Sequence, residues 1–202
     1  MGEENEERVR GEVRTGCLAS YSAFFGVGVF GFLELPEPWD LRMVPEPPEC
    51  DLLGDWSSDG EFRWVLKGYV KAFMLNEGQK RAYLLRVEAK DFVDATKAEE
   101  HVERKLGKLK KAKNSEVIEE GVVDVSGHRA RYVVLAVRKR KLIGRPKTIY
   151  KLVLPFYCDK TSRLLWVEVL GGPYLPSEVG TLLSIISSFS CHEGPPRRER
   201  GP

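Results

Sequence analysis

The chain predicts an α+β protein: one antiparallel β-sheet of about six strands packed with two amphipathic helices. Three observations carry this. Alternation of apolar and polar residues recurs in "EFRWVLKGYVKAFML" and "KRAYLLRVEAKDF", and a period of two is the mark of a half-buried strand. Four further segments after Val117 are rich in β-branched and aromatic residues and joined by links too short for a parallel crossover, so they must run antiparallel. Two stretches, 96–109 and 176–189, instead space their apolar residues three and four apart, as a helix does.

The elements follow in order. Residues 15–33, "TGCLASYSAFFGVGVFGFL", carry no charge. Their glycines and hydroxyls favour a buried strand or strand pair over a bilayer span, which needs about twenty predominantly apolar residues. "ELPEPWDLRMVPEPPECD" holds five prolines between Pro36 and Pro48 and is expected to be an irregular connection, barred from helix and central strand. From Glu61, Phe62, Trp64, Leu66, Val70, Ala72 and Met74 are expected on one face, with Arg63, Lys67 and Lys71 on the other. The turn "NEGQ" leads to Tyr83, Leu85, Val87 and Ala89, completing a hairpin.

"TKAE" opens the first helix, with Thr96 as N-cap and Glu99 three positions on, the spacing of a capping box. Ala98, Val102, Leu106 and Leu109 make its apolar stripe. Lys105, Lys108, Lys110, Lys111 and Lys113 crowd its C-terminal half, where cations complement the helix dipole. Strands "VIEEGVVDV", "RARYVVLAV", "TIYKLVLPFYC" and "RLLWVEVL" follow, with Ser126-Gly127 as a tight turn. The last helix sets Val179, Leu182, Leu183, Ile186 and Phe189 on one side. Residues 1–16 and 193–202 read as charged or Pro-rich tails around a single domain at 17–192.

The 202 residues are enough to bury roughly two-thirds of the surface of the unfolded chain. With 42% hydrophobic and 31% charged residues, disordered and collagen-like classes are excluded. Gln occurs once and Asn three times amid many Lys, Arg and Glu, a bias expected of proteins from hot environments. No positively charged leader precedes an apolar run, so a cytoplasmic location without membrane attachment is expected. Charge is unevenly spread: residues 67–150 carry 21 Lys and Arg against 11 Asp and Glu, and residues 1–66 carry 5 against 14. A basic middle points to an anionic partner.

"GFLELPEPW", residues 31–39, is an extended segment ending in a Pro-x-x-Trp-like turn. With the hairpin, helix, meander and closing helix after it, the chain from about Phe30 to His192 resembles the PsbP-like superfamily. The resemblance implies a PsbP-like sandwich and a non-enzymatic binding or assembly module. It brings no ligand signature to any residue.

His101, His128 and His192 are the candidates for acid–base chemistry, but none has a recognised nucleophile setting or an H-E-x-x-H spacing. "FGVGVFGF" lacks the Lys-Ser/Thr and the following helix of a phosphate loop. No enzyme, metal or cofactor is therefore expected. Of the four cysteines, Cys158 and Cys191 are expected to meet at one end of the sheet. A disulfide is the favoured reading, buried free thiols the next, and a metal site with Asp159 and His192 the last, because structural zinc thiolates usually come in close pairs. Cys17 with Cys50 is a weaker second pair.

"RKRKLIGRPK" lies between two strands and is expected to form a long hairpin tip carrying Arg138, Lys139, Arg140, Lys141, Arg145 and Lys147. Its "GRP" resembles part of an AT-hook, but Ile143 stands where the first arginine belongs. Such a tip contacts nucleic acid by counterion release, or it is a solvated loop whose lysines block edge-to-edge aggregation. The leading expectation is a non-catalytic module binding an unknown protein or ligand through its sheet and basic hairpin. Nucleic acid, gripped by this loop and the lysine-rich helix, is the alternative.

Overall fold

The computed structural model describes residues 13–22, 26–43, 63–92, 94–139 and 147–193. The uncharged stretch forms the expected strand pair, β1 (Val13–Ser22) and β2 (Gly26–Pro36), antiparallel with a bulge at Leu18/Ala19. Pairing begins at Val13, opposite Pro36. A two-residue strand, β4 (Arg63–Trp64), adds parallel to β2 and completes a three-stranded sheet in the order β1-β2-β4.

The proline-rich connection is more ordered than expected. Across a cis Glu37–Pro38 bond, Trp39–Met43 forms β3, an edge strand of a second sheet. Pro36 and Pro38 both precede this strand and none of its five residues is proline, so every residue keeps an amide for the ladder it makes at the sheet edge. Residues 44–62, Cys50 among them, lie outside the described residues.

The second sheet contains β5 (Gly68–Asn76), β6 (Arg81–Asp91), β7 (Ser115–Val125), β8 (His128–Lys139), β9 (Lys147–Cys158) and β10 (Arg163–Gly171) beside β3. Its order is β3-β5-β6-β10-β9-β8-β7, antiparallel throughout. After β6 the chain crosses through helix α1 (Ala95–Lys110) to the far edge, and the β7–β10 meander then returns until β10 pairs with β6. The two sheets together hold more strands than the six expected, because the N-terminal third supplies a layer of its own.

Alternation survives intact in β5 and β6, where Val70, Ala72, Met74, Tyr83, Leu85, Val87 and Ala89 are buried. Leu66 is 51% exposed instead. The chain bends at 65–67 between two different sheets, and the count of two cannot run through a bend. Ser126 and Gly127 both have positive φ, 50° and 78°, the backbone of a type I′ turn whose twist matches its flanking strands.

One face of the large sheet is buried by the small sheet and helix α2 (Val179–Ser187), which a short 3-10 turn at Leu175–Glu178 introduces. Leu18, Phe30, Leu33, Leu182, Ile186 and Phe189 share that core with the sheet's inner residues. On the opposite face α1 packs Ala98, Val102 and Leu106 over Val133, Leu135, Val153, Leu164 and Trp166. No helix among the described residues is long and apolar enough to cross a membrane.

Helix α1 begins earlier than its sequence suggested. Asp94, not Thr96, is the N-cap, its Oδ1 accepting from the amides of Thr96 and Lys97 at 2.8 and 3.4 Å. A carboxylate two residues upstream serves the orphan amides, so Thr96 enters the first turn instead. Asp94→Ala is therefore expected to cost about 1 kcal/mol in urea denaturation, while Thr96→Ala leaves the midpoint nearly unchanged. Equal losses in both variants would return the cap to Thr96.

Candidate functional site

At one end of the sandwich three chain segments bring four metal-binding side chains together. His128 starts β8 directly after the type I′ turn, and Cys158 ends β9. The β8–β9 register, which pairs Val133 with Val153, sets His128 level with Cys158 when continued. Cys191 and His192 arrive from the segment after α2, which a bridge between Phe32 and Ser190 holds on β2, with Ser190 N donating to Phe32 O at 2.8 Å. His192 thus lies beyond the last helix rather than ending it, because α2 stops at Ser187.

The ligand atoms of these four residues all lie within 4.8 Å of one another. His192 Nδ1 stands 3.2 Å from His128 Nε2, 3.5 Å from Cys158 Sγ and 3.3 Å from Cys191 Sγ. Each imidazole turns its other nitrogen to a carboxylate: His128 Nδ1 is 3.7 Å from Asp159 Oδ1, and His192 Nε2 is 3.7 Å from Glu193 Oε1. Cys158 and Cys191 meet as their sequence positions suggested, but as free thiols and not as the favoured bridge. Each sulfur packs against the same ring nitrogen, at 3.5 and 3.3 Å, whereas a disulfide would require sulfur–sulfur contact at about 2.05 Å. The neighbouring Cys191 thiol is the main reason the Cys158 thiol falls to about 4, burial opposing it, while Cys158 and burial push Cys191 up.

Arg163 closes the site from below. It pairs with Cys158 in the β9–β10 register and is fully buried. Its guanidinium donates to the carbonyls of Phe30, Val65 and Cys191 and to Thr161 Oγ1, and lies 4.8 Å above the Trp64 ring. One side chain thereby ties the small sheet, the large sheet and the C-terminal segment together. No carboxylate is within ion-pair distance of it among the described residues.

A cysteine beside a histidine invites a nucleophile reading, but both sulfurs are fully buried, and a buried thiol meets no substrate. His101 has Lys90 and Arg104 as polar neighbours. Burial first, then those two cations, hold its imidazole below the ordinary range, and no nucleophile accompanies it.

The basic residues separate into engaged and free. On α1, Lys105 pairs with Glu88 at 2.9 Å and covers Trp166, and Lys110 pairs with Glu120, so two of the five lysines of that surface are committed to the fold. Strands β8 and β9 pair out to Lys139 and Lys147, with Arg138 at 3.8 Å from Glu116. Arg140, Lys141 and Arg145 lie outside the described residues. Tyr132 and Tyr150 are half-buried against the core and offer little stacking surface.

Helix α1 packs over β8–β10 and reaches β6 through Lys105 to Glu88 and His101 to Lys90; among the described residues no helix packs on this face over β5 or the Arg86 end of β6. There Tyr69 is 69% and Phe73 42% exposed, with Lys71 between them. Lys71 stands directly across from Arg86, a like-charge pair that is unfavourable in a sheet. Neither has a carboxylate partner among the described residues. Glu168, beside Arg86 on β10, is already taken by Lys151 and by the Trp166 indole, and Arg86 Nε is buried without a hydrogen bond. A shallow depression of about 500 Å³ lies here, lined by four cations, Lys67, Lys71, Arg86 and Lys90, with two carboxylates, Glu88 and Glu168, that are both engaged by lysines.

No family model matches the chain, and no curated protein does. Among solved structures it is similar to the cyanobacterial PsbP (CyanoP) of Synechocystis sp. PCC 6803, at 11% identity over 95% of this chain and 98% of that one, with a TM-score of 0.42. It is also similar to PA94, a protein of unknown function from Pseudomonas aeruginosa, at 11% identity over 90% of this chain and 98% of that one, with a TM-score of 0.43. At this degree of likeness neither protein's role transfers to this chain.

Proposed function

We propose that this protein is a non-catalytic interaction module whose binding surface is the open β5–β6 half of the large sheet, and that its partner is an acidic segment of another protein. The observation that supports this most is the facing Lys71–Arg86 pair, which makes no ion pair among the described residues and is flanked by exposed Tyr69 and Phe73. Two facing cations cost stability in the free protein, and an anionic partner turns that cost into affinity. The aromatic rings beside them supply contact area at low conformational cost. Single-stranded nucleic acid is the second reading, favoured by two rings on one strand face with a cation between, since bases stack on such platforms.

Anisotropy of a labelled oligoglutamate peptide and a labelled single-stranded oligonucleotide, at low salt, tests both readings. The triple variant Tyr69→Ser, Lys71→Glu, Phe73→Ser is expected to weaken the peptide at least about tenfold, or ~1.4 kcal/mol. Preference of the parent for the oligonucleotide selects the second reading. Loss on replacing Arg138, Lys139, Arg140 and Lys141 with Ser, with the triple variant unaffected, moves the site to the hairpin apex. No binding of either probe removes the proposal.

A further inference from the structure

We infer that His128, Cys158, Cys191 and His192 form a structural zinc site, closed by four protein ligands, that staples the C-terminal segment to the β7–β8 turn and the end of β9. This inference is independent of the sheet surface proposed above. Zinc lies about 2.3 Å from thiolate sulfur and about 2.05 Å from imidazole nitrogen, so a tetrahedral site has edges of about 3.3 Å between nitrogens and about 3.6 Å between nitrogen and sulfur. The three separations from His192 Nδ1 are 3.2, 3.5 and 3.3 Å. Those match three of the six edges of a coordination tetrahedron, and the other three are no longer than 4.8 Å.

The surroundings provide a second, separate observation. Imidazoles that bind metal donate their other N–H to a carboxylate or carbonyl, which sets the tautomer and ring orientation. Each histidine has a carboxylate 3.7 Å from its second ring nitrogen, Asp159 for His128 and Glu193 for His192, within reach of a small side-chain adjustment that would complete such a bond. Arg163 adds the third support by holding the Cys191 carbonyl from within the core. Chemistry agrees in kind: two sulfurs and two nitrogens are the borderline-soft set that zinc takes, and oxygen-seeking magnesium or calcium would reject it. Binding replaces the remaining thiol protons, which leave to solvent, and the two thiolates then cancel the ion's charge. With no position left for water or substrate, such an ion serves the fold and not a reaction.

The test is titration of the reduced full-length chain with Co²⁺, which reports its ligands optically. Expected are sulfur-to-cobalt charge transfer and the intense visible bands of tetrahedral Co²⁺, saturating at one ion per chain and abolished by added Zn²⁺. Cys158→Ser, Cys191→Ser and His128→Ala should each lose at least about 100-fold in affinity, Asp159→Ala roughly tenfold, and Cys17→Ser nothing. Circular dichroism identifies any variant that fails to fold, and the parent titration decides the matter without variants. Absence of charge transfer in the parent, persistence of the bands in a folded Cys158→Ser protein, or a native mass showing a Cys158–Cys191 disulfide that forms in preference to metal would each overturn the assignment.

Discussion

Arg163→Met is expected to destabilise the protein by about 3–5 kcal/mol, one of the two largest losses of any single substitution proposed for this chain. The side chain is fully buried and donates to four acceptors on four stretches of the chain. Methionine fills part of the volume but strands the Phe30 and Cys191 carbonyls, and each orphaned buried acceptor costs about 1–3 kcal/mol. Removing the charge itself returns some desolvation energy, which is why the figure stays below the simple sum. For a chain of this size the loss corresponds to a fall in Tm of roughly 6–20 °C. Arg163→Lys should recover little of it, because an ammonium cannot reproduce the planar fork that reaches Val65, Phe30 and Cys191 together. Urea and thermal denaturation measure both variants; a loss under about 1 kcal/mol for Arg163→Met would show that these hydrogen bonds do not carry the junction.

Gly31→Ala is the second large effect, at about 2–3 kcal/mol. A Cβ at position 31 would meet Phe189 Cζ at 2.3 Å and the backbone oxygen of Ser190 at 2.7 Å. Neither neighbour can yield cheaply: Phe189 is fully buried in the core, and Ser190 exchanges both backbone hydrogen bonds with Phe32. The methyl therefore pries the C-terminal segment off β2, and hydrogen exchange should show the Phe32 and Ser190 amides losing protection first. Gly107→Ala has the opposite sign. Nothing lies within 4 Å of its Cβ position, so alanine in this helix should stabilise by about 0.5–1 kcal/mol. An unchanged stability and exchange pattern in Gly31→Ala would mean that the contact between β2 and the C-terminal segment is not a tight one.

Most of the strands and both helices were readable because their signals are local. The stripe Ala98, Val102, Leu106 is buried as its spacing required, and the Ser126-Gly127 turn has the positive φ pair that its residues permit. Reading failed where a distant partner decided the outcome. Leu66 alternates correctly with Val70 on paper, yet a bend between two sheets exposes it. Trp39–Met43 sits among prolines that argue against a strand, yet pairing with β5 makes one.

The candidate metal centre failed to announce itself for the same reason. His128, Cys158 and Cys191-His192 are separated by about thirty residues each, with none of the close cysteine pairing by which zinc sites are recognised in sequence. The open sheet face was half visible: alternation put Lys71 opposite in direction to Val70 and Ala72, but that Arg86 would stand across from it depends on register.

By itself, then, the amino-acid sequence determined which segments are extended, which are helical and which faces are apolar, because those properties arise from neighbours two to four residues apart. Which side chains converge at the end of the sandwich, and which sheet face remains uncovered, were decided only by the tertiary structure. Strand order and register bring together residues from opposite ends of the chain, and no interaction within a local window can specify such a meeting.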